Sequence, residues 1–182
     1  MLALFGWRAE GDLDDTPRCV MIAAPHTTNW DFVFMLAIAF ALRIHIAWMG
    51  KDTLFKGPLG GFMRWTGGIS IDRSKRGDVV GEMVARLKAA DALILTVPAE
   101  GTRRKTKYWK SGFYHIARGA QVPIVLGYLD YARKAGGIGP RVMPTDDLEA
   151  DVAKIRAFYA NIPGKYPEQF CNIEFAPPRD DA

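Results

Sequence analysis

The chain has 182 residues, 49% hydrophobic and 24% charged, with a formal net charge of +4. That length suits one domain with a full core, and the balance excludes disordered and fibrous classes. The positive excess suits an anionic ligand or a membrane surface, and without a clustered patch it does not argue for nucleic acid.

Taken in order, the apolar start at Met1 to Trp7 runs at once into acidic Glu10 to Asp15, which is not a secretory leader. The apolar run 19–24 reads as the body of a buried strand over 18–24, and a helix over 31–42 follows it. The longest apolar stretch, Phe32 to Met49, contains Arg43 and His45. A central arginine costs about 2.5–3.5 kcal/mol in a bilayer, so this stretch reads as a helix, a break and a strand over 44–49 rather than a membrane span.

Residues 51–66 form a connector with a short helix near Leu59 to Trp65, and a third strand enters at Gly67 and ends at Asp72-Arg73. From Asp78, Val79, Met83 and Leu87 recur at helical spacing. A buried strand over 92–97, a loop over 98–110, a helix over 111–118 and a strand over 122–128 come next. Residues 135–144 read as a glycine-rich loop. Asp146 and Glu149 would cap a helix with the stripe Leu148, Val152, Ile155 and Tyr159, and residues 171–175 would add an edge strand. Strands alternating with helices predict a single α/β domain over 1–182, a central, largely parallel sheet flanked by helices. Its motif-bearing core spans about residues 18–128, with the C-terminal helix and edge strand over 145–176.

Two cysteines, Cys19 and Cys171, sit in strand-like runs and read as buried thiols of a reducing compartment. Together with three histidines they show no ligand spacing, so no metal is expected.

Chemistry concentrates where strands stop. His26 lies between a strand and a helix, the place where ligands collect in α/β sheets. Asp31, five residues on, either turns its carboxylate onto the imidazole as a general-base dyad or caps the helix in a box with Thr28. Glu100-Gly101-Thr102-Arg103 follows another buried strand. Gly101 allows close backbone approach and Arg103 offers a fork of donors to an anion. Lys51 and Arg73 end the second and third strands on the same edge. Residues 103–110 hold five cations and two aromatics, a composition suited either to an anionic lipid surface or to a solvated loop. His45 and His115 read as packing or surface histidines.

These blocks, in this order, resemble the glycerolipid acyltransferases, the 1-acylglycerol-3-phosphate acyltransferase family. His26-Thr27-Thr28-Asn29-Trp30-Asp31 matches its His, four residues, Asp motif, and Lys51 to Arg73 its second block. Glu100 to Arg103 matches the third block and Val122 to Val125 the fourth, so the resemblance covers about residues 20–128. Pro25 replaces the usual Asn before the histidine, Pro98-Ala99 the usual Phe-Pro, and Ser70 the phenylalanine of the second block. The family's N-terminal membrane helices have no counterpart here, and together with Pro98-Ala99 and Ser70 this implies a small branch with a different acceptor, or a peripheral rather than integral attachment.

The resemblance implies transfer of a fatty acyl group from coenzyme A or acyl carrier protein, as co-substrate, to a lysophospholipid-type acceptor, with no other cofactor. His26 would be the general base and Asp31 its orienting partner. Lys51, Arg73, Glu100, Gly101, Thr102 and Arg103 would form the substrate site, with Glu100 organising the loop or pairing with an arginine. A cytoplasmic protein in peripheral contact with an anionic membrane is expected. The competing readings are acyl-thioester hydrolysis and a non-catalytic phosphate- or lipid-binding module. On spacing alone, His26→Ala and Asp31→Ala both remove transfer and leave the fold intact.

Overall fold

The structure, a computed structural model, describes residues 2–71, 78–170 and 173–176. It contains β1 (Arg8–Glu10), β2 (Arg18–Ala24), α1 (Trp30–Ala41), β3 (Ile46–Lys51), α2 (Gly60–Trp65), β4 (Gly68–Ile71) and α3 (Val79–Ala89). Then follow β5 (Leu93–Val97), α4 (Gly112–Ala120), β6 (Ile124–Asp130), β7 (Ala135–Val142) and α5 (Leu148–Tyr159).

The strands form one seven-stranded sheet in the order β1-β7-β6-β2-β5-β3-β4. Strands β6, β2, β5, β3 and β4 pair in parallel. β7 runs antiparallel to β6, and β1 pairs with β7 in parallel. The expected α/β domain with a largely parallel sheet is therefore what the chain forms.

Central strands buried on both faces explain the continuous apolar runs. Cys19, Val20 and Ile22 of β2, with Ile124, Val125 and Leu126 of β6, are fully buried. One core lies between the sheet and α3, α4 and α5, holding Met83, Leu87, Phe113, Ile116, Val152 and Ile155. The other lies under α1, where Met35, Leu36 and Ala39 meet Met21, Ile46, Ile94 and Val125. Asp78 caps α3 by accepting from the Gly81 N–H at 2.8 Å, and Met83 and Leu87 turn inward as their spacing predicts.

Several sequence readings are corrected. Residues 135–144 are not a loop: most of them form β7, packed so closely that a Cβ on Gly136 would come within 2.5 Å of Ile38 Cδ1 and 2.7 Å of Leu129 Cδ2. Strand β1, unanticipated, borders β7. Asp147, not Asp146 or Glu149, caps α5, accepting from the Ala150 N–H at 3.0 Å, while Asp146 pairs with Arg118. Leu148 stays largely exposed, whereas Val152, Ile155 and Tyr159 are buried. The expected edge strand over 171–175 is reduced, among the described residues, to one bridge between Trp109 and Phe175. Cys19 is a free, buried thiol, and Cys171 lies outside the described residues.

Candidate active site

The loop after β2 carries His26 and Asp31 at the carboxyl edge of the parallel strands. Asp31 enters the first turn of α1, is 4% exposed, and is held at both oxygens. Oδ2 accepts from the main-chain N–H groups of Thr27 at 2.8 Å and Thr28 at 2.9 Å. Oδ1 accepts from the Tyr131 hydroxyl at 2.6 Å. The His26 imidazole sits on the same carboxylate, with Nδ1 3.2 Å from Oδ2. Asp31 thus serves backbone and ring at once, but the expected box with Thr28 at the N-cap is corrected: the N-cap is Asn29, which makes no side-chain cap.

Glu100 closes the loop from below. Its side chain is fully buried, and Oε1 accepts from the main-chain N–H of His26 at 2.7 Å. Oε2 has no hydrogen-bond partner among the described residues. Burial, reinforced by the neighbouring Asp31 charge and opposed by the His26 N–H, pushes the Glu100 carboxyl up to about 7. Of the two roles expected for Glu100, organising the loop or pairing with an arginine, its contacts fit the first. It pairs with no arginine among the described residues, and it anchors the backbone of the residue that carries the imidazole. Tyr131, half-buried and bonded to Asp31, has its hydroxyl held well above the ordinary tyrosine range, chiefly by burial.

A cavity of about 720 Å³ opens at this edge. Its mouth is walled by His26, Lys51, Gly101, Thr102 and Arg103, and its interior passes beneath α1 against Met21, Met35, Ala39, Ile46 and Ile138. Of the eight residues singled out by sequence, the structure brings His26, Asp31, Lys51, Gly101, Thr102 and Arg103 to one opening. Glu100 stands behind it, and Arg73 lies outside the described residues. Gly101 has φ +68°, a conformation glycine adopts without strain, and a Cβ there would come within 3.1 Å of the Lys110 Cγ. Arg103 and Lys51 are exposed and have no ion-pair partner among the described residues. His45 and His115 are exposed and take no part in the cavity wall.

Sequence reasoning missed Tyr131. It sits in the turn after β6, a hundred residues from Asp31, beyond every motif, and Trp7 and Phe34 pack around its ring. Only the chain's return along β6 to the same edge as β2 brings it there.

With Nδ1 against a carboxylate that holds its other contacts rigidly, the imidazole keeps Nε2 to accept a proton. A largely apolar cavity with room for a hydrocarbon opens beside the ring, and cations suited to an anion stand at its mouth. Among the described residues no group of three or more His, Cys, Asp or Glu side chains is placed to hold a metal ion, and no helix is long and apolar enough to cross a membrane.

A search of curated protein sequences finds no match. The fold is similar to that in the crystal structure of the 1-acyl-sn-glycerophosphate (LPA) acyltransferase PlsC from Thermotoga maritima, with a TM-score of 0.53 at 19% sequence identity. The match covers 78% of this chain and 62% of that one, so the chain corresponds to less than two thirds of that protein's length. Residues 11–126, which include His26, Asp31 and Glu100 to Arg103, match the family model for acyltransferases, and the chain belongs to the Acyltransferase family.

Proposed function

We propose that the chain is an O-acyltransferase that moves a fatty acyl group from a thioester, on coenzyme A or acyl carrier protein, to a hydroxyl of a lysophospholipid-type acceptor. The observation that carries this reading is the His26–Asp31 pair at the mouth of an apolar cavity, Nδ1 3.2 Å from Oδ2. Family membership sets the reaction class. The cavity under α1 supports a long apolar acyl chain, and Lys51 and Arg103 at its mouth support a phosphate on one of the two substrates.

In this scheme the acceptor hydroxyl gives its proton to Nε2 of His26 as its oxygen attacks the thioester carbonyl. Asp31 holds the ring in the Nδ1–H tautomer and balances the charge on the imidazolium that forms. Collapse of the tetrahedral intermediate breaks the C–S bond, and the proton returns from Nε2 to the departing sulfur. The products are an ester and a free thiol, and the steps need no metal or organic cofactor. Tyr131 and Glu100 act through other groups, one fixing the Asp31 carboxylate and the other the His26 backbone. Gly101 and Thr102 shape the loop, and Arg103, Lys51 and Arg73 take the phosphate. The acceptor being a membrane lipid, the protein would work at the membrane's inner surface.

The test is a mass-spectrometric screen of lysolipids with acyl-CoA and acyl carrier protein donors, run with wild type and His26→Ala. A new ester that disappears in His26→Ala is the expected result. Free fatty acid without ester, unaffected by acceptor, would identify a thioester hydrolase. An active His26→Ala enzyme would end the base assignment.

A further inference from the structure

The two faces of the sheet meet water differently. Helices α3 and α5 turn Glu82, Arg86, Lys88, Glu149 and Arg156 outward, as surface helices do. Helix α1 does not. Its sequence, Trp-Asp-Phe-Val-Phe-Met-Leu-Ala-Ile-Ala-Phe-Ala, has one charged residue in twelve, and that aspartate is buried. Ile38 and Ala39 enter the core, while Trp30, Val33 and Phe40 stand in solvent, Phe40 at 85% exposure. A helix apolar all round is one that something covers, and nothing among the described residues covers this stripe.

The segment after β3 extends the same face. Phe55 stacks on Trp48, and the Trp48 ring meets Phe32 of α1 edge-on at 4.7 Å. That inner contact leaves Leu59, Phe62 and Trp65 pointing away from the core, Trp65 at 80% exposure. A domain that stays alone in water rarely gathers so many large apolar side chains on one side.

Two features of the same edge identify the occupant. The first is continuity with the cavity: Phe32, Leu54 and Met63 belong to its wall and sit among these exposed side chains, with Leu54 itself 48% exposed. The second is charge. Residues 51–66 and 98–110 leave the adjacent strands β3 and β5 at one edge and together hold eight Lys and Arg against Asp52 and Glu100. Glu100 is buried, and Asp52 is taken by Lys56. Arg103, Arg104, Lys105, Lys107 and Lys110 have no ion-pair partner among the described residues. A second copy related by a twofold axis would set this cationic edge against itself. An anionic bilayer offers hydrocarbon to the stripe and phosphates to the cations.

We propose that the α1–α2 face seats the protein on an anionic lipid bilayer. Trp30, Phe62 and Trp65 lie at the boundary of headgroup and acyl chain, the 98–110 cations lie over the headgroups, and the cavity mouth is turned toward the lipid. The inference rests on the acyl-transfer reading only in naming the lipid as the source of the acceptor, since the face itself is defined by exposure and charge.

The experiment uses the full chain with vesicles of phosphatidylcholine, with and without about 30% phosphatidylglycerol. Wild type is expected to sediment with the anionic vesicles, and about 0.5 M salt lowers the bound fraction without abolishing it. Phe62→Ser with Trp65→Ser, and separately Phe40→Ser, each weaken binding about tenfold or more and remove the salt-resistant part. Lys105→Glu with Lys107→Glu removes the salt-sensitive part. Transfer to a water-soluble, short-chain lysolipid stays at the wild-type rate in all of them. Wild-type vesicle binding by the apolar variants overturns the proposal. So does a wild-type chain that ignores vesicles, or one that elutes as a dimer which Phe40→Ser splits. Vesicle binding without transfer to the soluble acceptor defeats the functional reading and leaves the docking face standing, and the converse result defeats the docking face alone.

Discussion

The main-chain N–H of His26 donates to Oε1 of Glu100 at 2.7 Å, so the loop after β2 and the loop after β5 are fastened at the residue that carries the imidazole. The carboxyl that makes this bond is buried and titrates near 7, well above its ordinary 4.5. Because the folded state holds that proton more tightly than the unfolded state, the group's contribution to stability is complete below about pH 4.5. It is lost as pH rises through about 7. Glu100→Gln cannot titrate. The stability of wild type relative to Glu100→Gln is therefore expected to fall by about 3 kcal/mol between those pH values and to stay level above them. Denaturant midpoints of both proteins across pH 4 to 8 measure this, and parallel curves refute it.

His26→Ala is expected to lower kcat by about 10²–10⁴-fold while the circular dichroism and Tm stay near wild type, since the ring is partly exposed and its main-chain bond to Glu100 survives. Asp31 behaves differently. Spacing alone makes Asp31→Ala harmless to the fold, but the structure shows two main-chain N–H groups and a tyrosine hydroxyl ending on that carboxylate. Leaving buried donors unpaired costs about 1–3 kcal/mol each. Asp31→Ala should therefore lose both activity and several degrees of Tm, and Asp31→Asn should recover part of the Tm and little of the activity. Kinetics and thermal melts on the three variants decide.

Tyr131→Phe removes one oxygen and one hydrogen bond, the 2.6 Å bond to Asp31 Oδ1, while the ring keeps its contacts with Trp7 and Phe34. A carboxylate freed on one side lets the imidazole wander. The expected result is a kcat lower by about three- to tenfold with KM nearly unchanged, and a stability loss of about 1–2 kcal/mol. A variant with wild-type kcat at every pH would leave Tyr131 as packing only.

How far the sequence revealed this arrangement depended on the kind of signal each part carried. Apolar runs such as 19–24 and 93–97 marked the buried strands, and the repeat of Met83 and Leu87 marked α3, because burial imposes a pattern on side chains. The convergence of His26 with the 100–103 loop followed from two parallel strands ending at one edge. Strand β7 left no such trace: at Gly136, Gly137 and Gly139 close packing excludes a side chain, so the stretch reads as a loop. Strand β1 is three residues long, too short for any period. Glu100 was placed with the substrate site, as loop organiser or arginine partner, because a charged residue after a strand usually meets solvent, and only coordinates show it turned inward onto an amide. Tyr131 had no sequence signal at all, since a single hydroxyl in a turn reaches Asp31 only through the path of β6.

Arg103 is exposed, lines the cavity mouth and has no ion-pair partner among the described residues. Removing it breaks no hydrogen bond or ion pair among the described residues, so Arg103→Ala should keep the wild-type Tm. On the proposed function it raises the KM of the phosphate-bearing substrate by about tenfold or more, with a smaller effect on kcat. Arg103→Lys should restore only part of that loss, because an ammonium cannot reproduce the paired donors of a guanidinium. Steady-state kinetics with the acceptor and donor varied in turn identify which substrate the residue holds. A drop in Tm would instead make Arg103 structural.

Ala39 lies in the cavity wall about two and a half turns into α1, and its small side chain keeps the space beneath the helix open. At 1.5 Å per residue it stands about 13 Å from the helix start beside His26. An acyl chain whose thioester is at the imidazole would have to pass it to fill the deep end. Ala39→Phe blocks that path from below and leaves the mouth, the dyad and the cations untouched. The expected outcome is a shift in the preferred donor toward shorter acyl chains, with the rate on the shortest donors close to wild type and the rate on the longest lower by about a hundredfold. Competition among donors of graded length, read by mass spectrometry of the ester products, measures the shift. Uniform loss across all lengths would mean that the substitution had disturbed the packing of α1 on the sheet and that the chain takes another route.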